Sequence, residues 1–252
     1  DLIGARFLRD VQPGEFLTIN HQGVQSAFFA ASPKRALCSM EYVYFSRPDS
    51  NLRGLNVHTA RKRLGKALAR EHPVGADVVT GVPDSSLSAA IGYAEATGIP
   101  YELGLIKSRY VGRTFIEPSQ SLREQGVKLK LSAVQGVVEG KRVAMVDDSF
   151  VRGTTSRRIT MMLKDAGATE VHVLIASPTI QYPCFYGMDI LSTDELAAAR
   201  HDLEELRIMI GADSLRFLSV DAMQEVFGVG LCAACFTGEY PMGGGGHSVA
   251  GL

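Results

Sequence analysis

The run from Lys141 to Ser156, K-R-V-A-M-V-D-D-S-F-V-R-G-T-T-S, constrains the fold more than any other stretch of this chain. Val143 to Val146 is a short apolar segment of the kind that makes a fully buried strand. Asp147 and Asp148 end it, and a loop of small and hydroxyl residues follows from Ser149 to Thr155. Arg157 to Ala166 then places Ile159, Met162 and Leu163 at helical spacing, and Gly167 stops the run. The order is strand, acid pair, hydroxyl-and-glycine loop, helix.

That order has a chemical meaning. A loop that opens a helix presents unpaired backbone N–H groups, and the helix dipole adds partial positive charge there. Gly153 lets the chain turn closely around a bound group, and Thr154, Thr155 and Ser156 add hydroxyl donors. Together they suit a phosphate monoester. Asp147 and Asp148 would repel phosphate; they suit sugar hydroxyls or a hard cation with oxygen ligands. A ribose 5-phosphate meets both demands, and with a pyrophosphate at C1 and Mg²⁺ it becomes phosphoribosyl pyrophosphate (PRPP). A bare Asp-Asp pair reads more simply as two solvated acids on a turn, so the argument rests on the whole pattern. The competing cradle, a nucleotide P-loop, has a faint echo at Gly136 to Lys141. It fails because Arg142 replaces the Ser or Thr and a strand follows.

The pattern resembles the PRPP-binding loop of type I phosphoribosyltransferases. The Arg152 inserted before Gly-Thr-Thr is similar to the amidophosphoribosyltransferase branch.

With 252 residues, of which 46% are hydrophobic, the chain can bury a sizeable core in one or two domains. Lys and Arg number 26 against 27 Asp and Glu, so no basic excess points to nucleic acid or an anionic membrane. No apolar run approaches the roughly 20 residues of a membrane span, and no signal-like segment opens the sequence. It begins on Asp1 rather than Met, which reads as a fragment of something longer.

Residues 1–30 read as β-rich, with Phe16, Leu17 and Ile19 before a turn at Asn20 to Gly23 and Val24 to Phe29 after it. Leu37 to Phe45 is expected as a strand, Val57 to Glu71 as a helix with a solvated basic face, and Asp77 to Val82 as a buried strand. Pro83-Asp84-Ser85-Ser86 then turns into a helix from Leu87 to Thr97; Ser85-Ser86 reads either as a phosphate contact or as an ordinary N-cap. Pro100 to Ile106 is expected as a strand. The long connection from Lys107 to Lys130 carries Arg109, Tyr110, Gly112 and Arg113, and reads as a basic surface loop or as a lid over a polyphosphate. Val171 to Ala176 is a further strand; Asp194 to Ala199, Leu203 to Ile210 and Asp221 to Phe227 are helical, with Gly211 to Val220 as connecting structure. Strands alternating with helices imply an α/β fold with a mostly parallel sheet flanked by helices, binding ligands at the carboxyl ends of its strands.

The segments C-S-M-E-Y-V-Y-F-S-R-P-D-S, G-V-P-D-S-S, K-S-R-Y-V-G-R-T-F-I-E-P, V-D-D-S-F-V-R-G-T-T-S, P-C-F-Y-G-M-D and C-A-A-C-F-T-G follow one another in this order. Together, up to about Pro241, they resemble the glutamine phosphoribosylpyrophosphate amidotransferase family, in its iron–sulfur branch. The resemblance implies a type I phosphoribosyltransferase fold. It implies formation of 5-phosphoribosylamine from PRPP and glutamine-derived ammonia, the first committed step of purine synthesis. It places Mg²⁺ at Ser85, Asp147 and Asp148, and the 5-phosphate on Ser149, Arg152, Gly153, Thr154, Thr155 and Ser156. Arg109, Tyr110, Arg113 and Lys130 become the catalytic contacts to pyrophosphate on a closing lid. It further implies a cytoplasmic homo-oligomer, inhibited by purine nucleotides, with a glutaminase domain in cis. The family's glutaminase uses an N-terminal cysteine, and no cysteine precedes Cys38, so 1–36 corresponds to the trailing edge of that domain. The phosphoribosyltransferase domain then covers 37–225, a C-terminal cluster-binding segment 226–241, and 242–252 a disordered tail.

The four cysteines are Cys38, Cys184, Cys232 and Cys235. On spacing alone, the terminal C-x-x-C is a redox pair, half a zinc site or chance, and disulfides suit a cytosolic α/β enzyme poorly. The resemblance implies that all four hold a [4Fe–4S] cluster with a structural role, tetrahedral zinc being the competing metal. Two other functions share the PRPP loop. A PRPP-sensing regulator would need a DNA-binding element, and no helix-turn-helix signature or basic face is present. A base-using salvage phosphoribosyltransferase does not account for the cysteines.

Overall fold

The computed structural model describes residues 4–29, 35–107, 131–188, 190, 192–228 and 230–242. In chain order its strands are β1 (Glu15–Asn20), β2 (Gly23–Phe28), β3 (Leu37–Cys38), β4 (Asn51–Leu52), β5 (Leu55–Asn56), β6 (Val78–Gly81), β7 (Leu105–Lys107), β8 (Leu131–Ala133), β9 (Arg142–Asp147), β10 (Glu170–Ile175), β11 (Ser214–Phe217) and β12 (Leu231–Cys232). The helices are α1 (Val57–Glu71), α2 (Leu87–Thr97), α3 (Gln135–Val138), α4 (Thr154–Asp165), α5 (Ala197–Arg200), α6 (Leu203–Ile210), α7 (Val220–Phe227) and α8 (Ala234–Thr237).

The centre is a four-stranded parallel sheet in the order β11-β10-β9-β6. Side chains alternate across a strand, and β9 shows the consequence. Ala144 and Val146 join the core on one face, with Leu64 and Leu68 of α1 and Tyr93 of α2. Val143 and Met145 join the core on the other, with Ile159 and Leu163 of α4 and Ile210 of α6. Residues Val143 to Val146 are fully buried, as an apolar strand covered on both faces requires. Burying each larger side chain stabilises the fold by about 1.5–3 kcal/mol.

Helices α1 and α2 approach closely where glycine faces backbone. A Cβ on Gly65 would lie 1.9 Å from the Ala89 carbonyl oxygen, and one on Gly92 2.0 Å from that of Lys62. Asn56 caps α1 by accepting from the Thr59 N–H at 3.1 Å. Away from the sheet, β1 and β2 form the expected antiparallel hairpin, whose Phe16, Ile19, Val24 and Phe28 are exposed.

Three local expectations fail. Leu37 to Phe45 is not one strand: only Leu37–Cys38 is extended, and Glu41–Phe45 closes into a wide helical turn. The aromatic and β-branched composition favours a strand, but the buried guanidinium of Arg61 takes the carbonyls of Tyr42, Tyr44 and Ser46 and holds the turn. The expected connection from Gly211 to Val220 contains β11, an edge strand too short and too mixed in polarity to show a period. Pro100 to Ile106 gives only a bridge from Tyr101 to Val79; Leu105–Lys107 pairs antiparallel with β8, outside the central sheet.

Candidate functional site

Strand β9 ends on Asp147, and the chain reaches α4 through Asp148 to Gly153 at the carboxyl edge of the sheet. Gly153, with φ of 75°, occupies the N-cap position, and no side chain caps the helix. The first helical bond runs from the Arg157 N–H to the Gly153 carbonyl, so the N–H groups of Thr154, Thr155 and Ser156 have no partner within the helix. A Cβ at Gly153 would lie 2.7 Å from Met209 Cε and 2.8 Å from Phe150 Cζ. The turn therefore needs glycine for its backbone angle and for its space.

Asp147, Asp148, Ser149, Arg152, Gly153, Thr154, Thr155 and Ser156 line one cavity of about 590 Å³, and Ser85 joins them from the turn after β6. The acid pair and the helix N-terminus thus face a shared space. Ser85 Oγ donates to Asp148, Ser149 Oγ donates to Asp148 Oδ1 at 2.6 Å, and the Asp148 N–H donates to Asp147 Oδ1 at 2.9 Å. Burial, then the charge of Asp148, pushes the Asp147 carboxyl well above its ordinary 3.8. Burial also raises Asp148, opposed by the hydroxyls of Ser149 and Ser85 and by the Arg61 charge. Both carboxyl groups are buried, 7% exposed, and among the described residues neither forms an ion pair. Unpaired buried carboxylates are costly. Their lone pairs match a hard cation or sugar hydroxyls, so the donor set fits Mg²⁺.

The rest of the prediction divides. Ser86 sits at the N-cap of α2 but donates back to the Val82 carbonyl instead of capping; its neighbour Ser85 reaches Asp148. Arg152 lines the cavity, yet its guanidinium is held by Glu195. Lys107 pairs with Asp84 at 2.6 Å across the mouth of the same turn. Arg109, Tyr110, Arg113 and Lys130 lie outside the described residues. Sequence reasoning missed the wall formed by Met40, Tyr44, Phe45 and Met188. No local pattern marks that wall; it exists because the Glu41–Phe45 turn folds over the sheet edge.

A second cavity, of about 440 Å³, is lined by Cys38, Cys184, Cys232 and Cys235. Parallel pairing of β3 with β12 sets Cys38 beside Cys232, and α8 carries Cys235. The Cys235 carbonyl accepts from the N–H groups of Gln181 and Tyr182 at 3.0 and 3.1 Å, which brings in the loop of Cys184. All four are free thiols. Burial and the three neighbouring sulfurs push Cys235 up to about 12. At Cys184 burial acts upward, but the N–H groups of Gly187, Met188 and Tyr186 outweigh it and lower the thiol. Among the described residues, no three His, Cys, Asp or Glu are grouped to hold a metal ion. Phe45 and Met188 line both cavities. Among the described residues, no helix is long and apolar enough to cross a membrane.

No family model matches the chain. It is 66% identical over 248 residues to an amidophosphoribosyltransferase of Bacillus subtilis, covering 96% of this chain and 52% of that protein. It is 54% identical over 250 residues to amidophosphoribosyltransferases of Staphylococcus aureus, covering 96% of this chain and 51% of theirs. Among solved structures it resembles an allosteric regulatory enzyme of purine biosynthesis, with a TM-score of 0.85, 66% identity and coverage of 95% and 53% of the two chains. It also resembles a glutamine PRPP amidotransferase from B. subtilis complexed with ADP and GMP, with a TM-score of 0.84, 66% identity and coverage of 95% and 54%. The chain therefore spans about half the length of the relatives it matches. The fold is the expected α/β phosphoribosyltransferase fold, with a parallel central sheet flanked by helices.

Proposed function

We propose that this chain is the phosphoribosyl-transferring part of an amidophosphoribosyltransferase, converting PRPP and ammonia to 5-phosphoribosylamine and pyrophosphate. One observation carries the reading: the buried acid pair and the uncapped N-terminus of α4 open onto a single cavity. The free N–H groups and hydroxyls of Thr154, Thr155 and Ser156 hold the 5-phosphate. Asp147 and Asp148 accept from the ribose 2- and 3-hydroxyls and, with Ser85, hold Mg²⁺. When bound, Mg²⁺ offsets the charge of the acids and of the pyrophosphate. Ammonia attacks C1 as the bond from C1 to pyrophosphate breaks, and the new ammonium centre loses a proton. The transition state is oxocarbenium-like and needs no covalent nucleophile, so the protein contributes positioning, exclusion of water and positive charge for the leaving group. Arg109, Tyr110, Arg113 and Lys130 supply that charge in this proposal.

The same reading assigns the four thiols a [4Fe–4S] cluster. Their convergence on one cavity supports it, with tetrahedral zinc as the competing metal. The cluster fastens β12 and α8 to β3 and has no part in the transfer. Residues 1–36, with their exposed apolar hairpin, form the edge of a glutaminase domain that supplies ammonia in a longer chain. A cytoplasmic homo-oligomer inhibited by purine nucleotides completes the proposal; one relative was solved with ADP and GMP.

Calorimetric titration with PRPP, with and without Mg²⁺, tests the site, and ammonia-dependent release of pyrophosphate tests the reaction. We expect Mg²⁺-dependent binding and turnover. Binding without turnover at any ammonia concentration would leave a sensor, and binding in neither condition would remove the assignment.

A further inference from the structure

Among the described residues, Arg53 is the one non-glycine with a positive φ, at 48°. It and Gly54, at 80°, are the two central residues of the hairpin that joins β4 to β5. A two-residue hairpin with positive φ at both positions favours Asn-Gly or Asp-Gly, whose short side chains tolerate the left-handed angle. An arginine there needs a reason from outside the hairpin.

That reason lies in the C-terminal segment. Arg53 Nη1 donates to the Gly230 carbonyl at 2.9 Å, across 177 positions of sequence. The same carbonyl accepts from the Leu37 N–H at 3.0 Å, so both of its lone pairs are taken. Gly230 immediately precedes the ladder of β3 and β12, whose two rungs are Leu37 with Leu231 and Cys38 with Cys232. So short a two-stranded ladder is marginal without support. A Cβ on Gly230 would lie 3.2 Å from Arg53 Nη1, so glycine lets the guanidinium come close. The hairpin and the segment entering β12 also share a small core, in which Tyr42 packs with Leu52, Leu55, Phe227 and Leu231. Tyr42 stacks on Phe227 with ring centres 4.7 Å apart and donates to the Leu52 carbonyl at 2.6 Å.

We infer that Arg53 is a positioning residue of the thiol site, its guanidinium anchoring Gly230 and so fixing the register that sets Cys232 beside Cys38. The inference deepens the four-thiol reading and rests on it for what the site binds, not for how the strand is placed. Arg53 is not among the residues that line the thiol cavity; it acts through the Gly230 carbonyl. Two demands meet at position 53: the turn prefers Asn, and the anchor needs a long cation. Arg53→Asn therefore eases the hairpin while loosening the thiol site, a combination that a residue serving only the turn does not give.

The test compares the reduced full chain with Arg53→Asn and Arg53→Lys by amide hydrogen exchange, thermal melting and anaerobic reconstitution with iron and sulfide. In Arg53→Asn we expect exchange at Leu37 and across 231–236 to quicken roughly tenfold, the scale of one lost hydrogen bond to a charged group, with the melting midpoint unchanged or raised. The reconstituted chromophore should lose iron to an added chelator faster by roughly the same factor. In Arg53→Lys, which keeps a long cation without the planar fork, exchange should stay within about threefold of wild type. Unchanged exchange in Arg53→Asn overturns the inference, and so does failure of Arg53→Lys to restore protection. Exchange quickened throughout the chain with a lowered midpoint makes the residue merely structural and overturns it as well. Failure of the wild-type chain to take up iron and sulfide is a different result: it removes the cluster reading, while exchange still decides the role of Arg53.

Discussion

The acid-pair site and the thiol site lie on either side of a shared wall, Phe45 and Met188, and are built in opposite ways. Asp147 to Ser156 is contiguous in sequence, and its geometry follows from a strand handing over to a helix at the edge of a parallel sheet. Cys38, Cys184, Cys232 and Cys235 come from three distant parts of the chain and meet only through the β3–β12 pairing and the bonds from the Cys184 loop to the Cys235 carbonyl. A contiguous site serves chemistry that needs fixed short-range geometry. A dispersed site suits a fastener, since whatever binds it ties distant segments together.

That contrast is exposed to direct test. The largest separation is expected from Asp148→Asn, which should weaken Mg²⁺-dependent PRPP binding by roughly 100-fold, the scale of a lost charged contact, and leave the thiol site untouched. The same variant should stabilise the ligand-free chain at pH 8. A carboxyl whose value is raised on folding binds more protons folded than unfolded, so stability declines as pH rises from about 3.8 towards the raised value. Asp148→Asn should flatten that decline in a thermal-melt series, whereas a steeper slope would contradict the buried pair.

Cys235→Ser should show the reverse profile. If the proposed cluster is present, its visible absorption should disappear and the melting midpoint should drop by about 5–10 °C, while PRPP affinity stays within about threefold. A loss of PRPP binding matching that of Asp148→Asn would merge the two regions into one functional unit. Gly153→Ala falls between them. Its φ of 75° and the contacts with Met209 and Phe150 predict a stability cost of about 1–2 kcal/mol and roughly tenfold weaker PRPP binding, measured by denaturant titration and calorimetry. The smallest effect belongs to Glu195→Gln. Releasing Arg152 from an exposed ion pair worth about 1 kcal/mol or less should raise PRPP affinity by at most about threefold. A fall would mean that Glu195 holds the loop in its binding shape.

The contiguous site was legible because each part has a local signature. The apolar run Val143–Val146 marks a strand covered on both faces, and Gly153 with three hydroxyl residues marks an uncapped helix start. Ser85 was legible only as an ambiguity between cap and ligand. Its role depends on β6 and β9 being neighbours in the sheet, which sets it beside Asp148. The aromatic wall was not legible, because the run from Leu37 to Phe45 has strand composition. Its helical turn depends on a guanidinium that arrives from α1 to take carbonyls that a sheet partner would otherwise have taken.

By itself the sequence specified the alternation of strands and helices, the acid pair at a strand end and the glycine-and-hydroxyl helix start after it, because these follow from periodicity and from backbone groups left free within a few residues. Tertiary structure alone decided that Ser214–Phe217 completes the sheet, that four scattered thiols share one cavity and that Arg61 of α1 takes the carbonyls of the Glu41–Phe45 turn. Strand neighbours and buried charge partners are chosen by packing across the whole chain, and no local pattern records that choice.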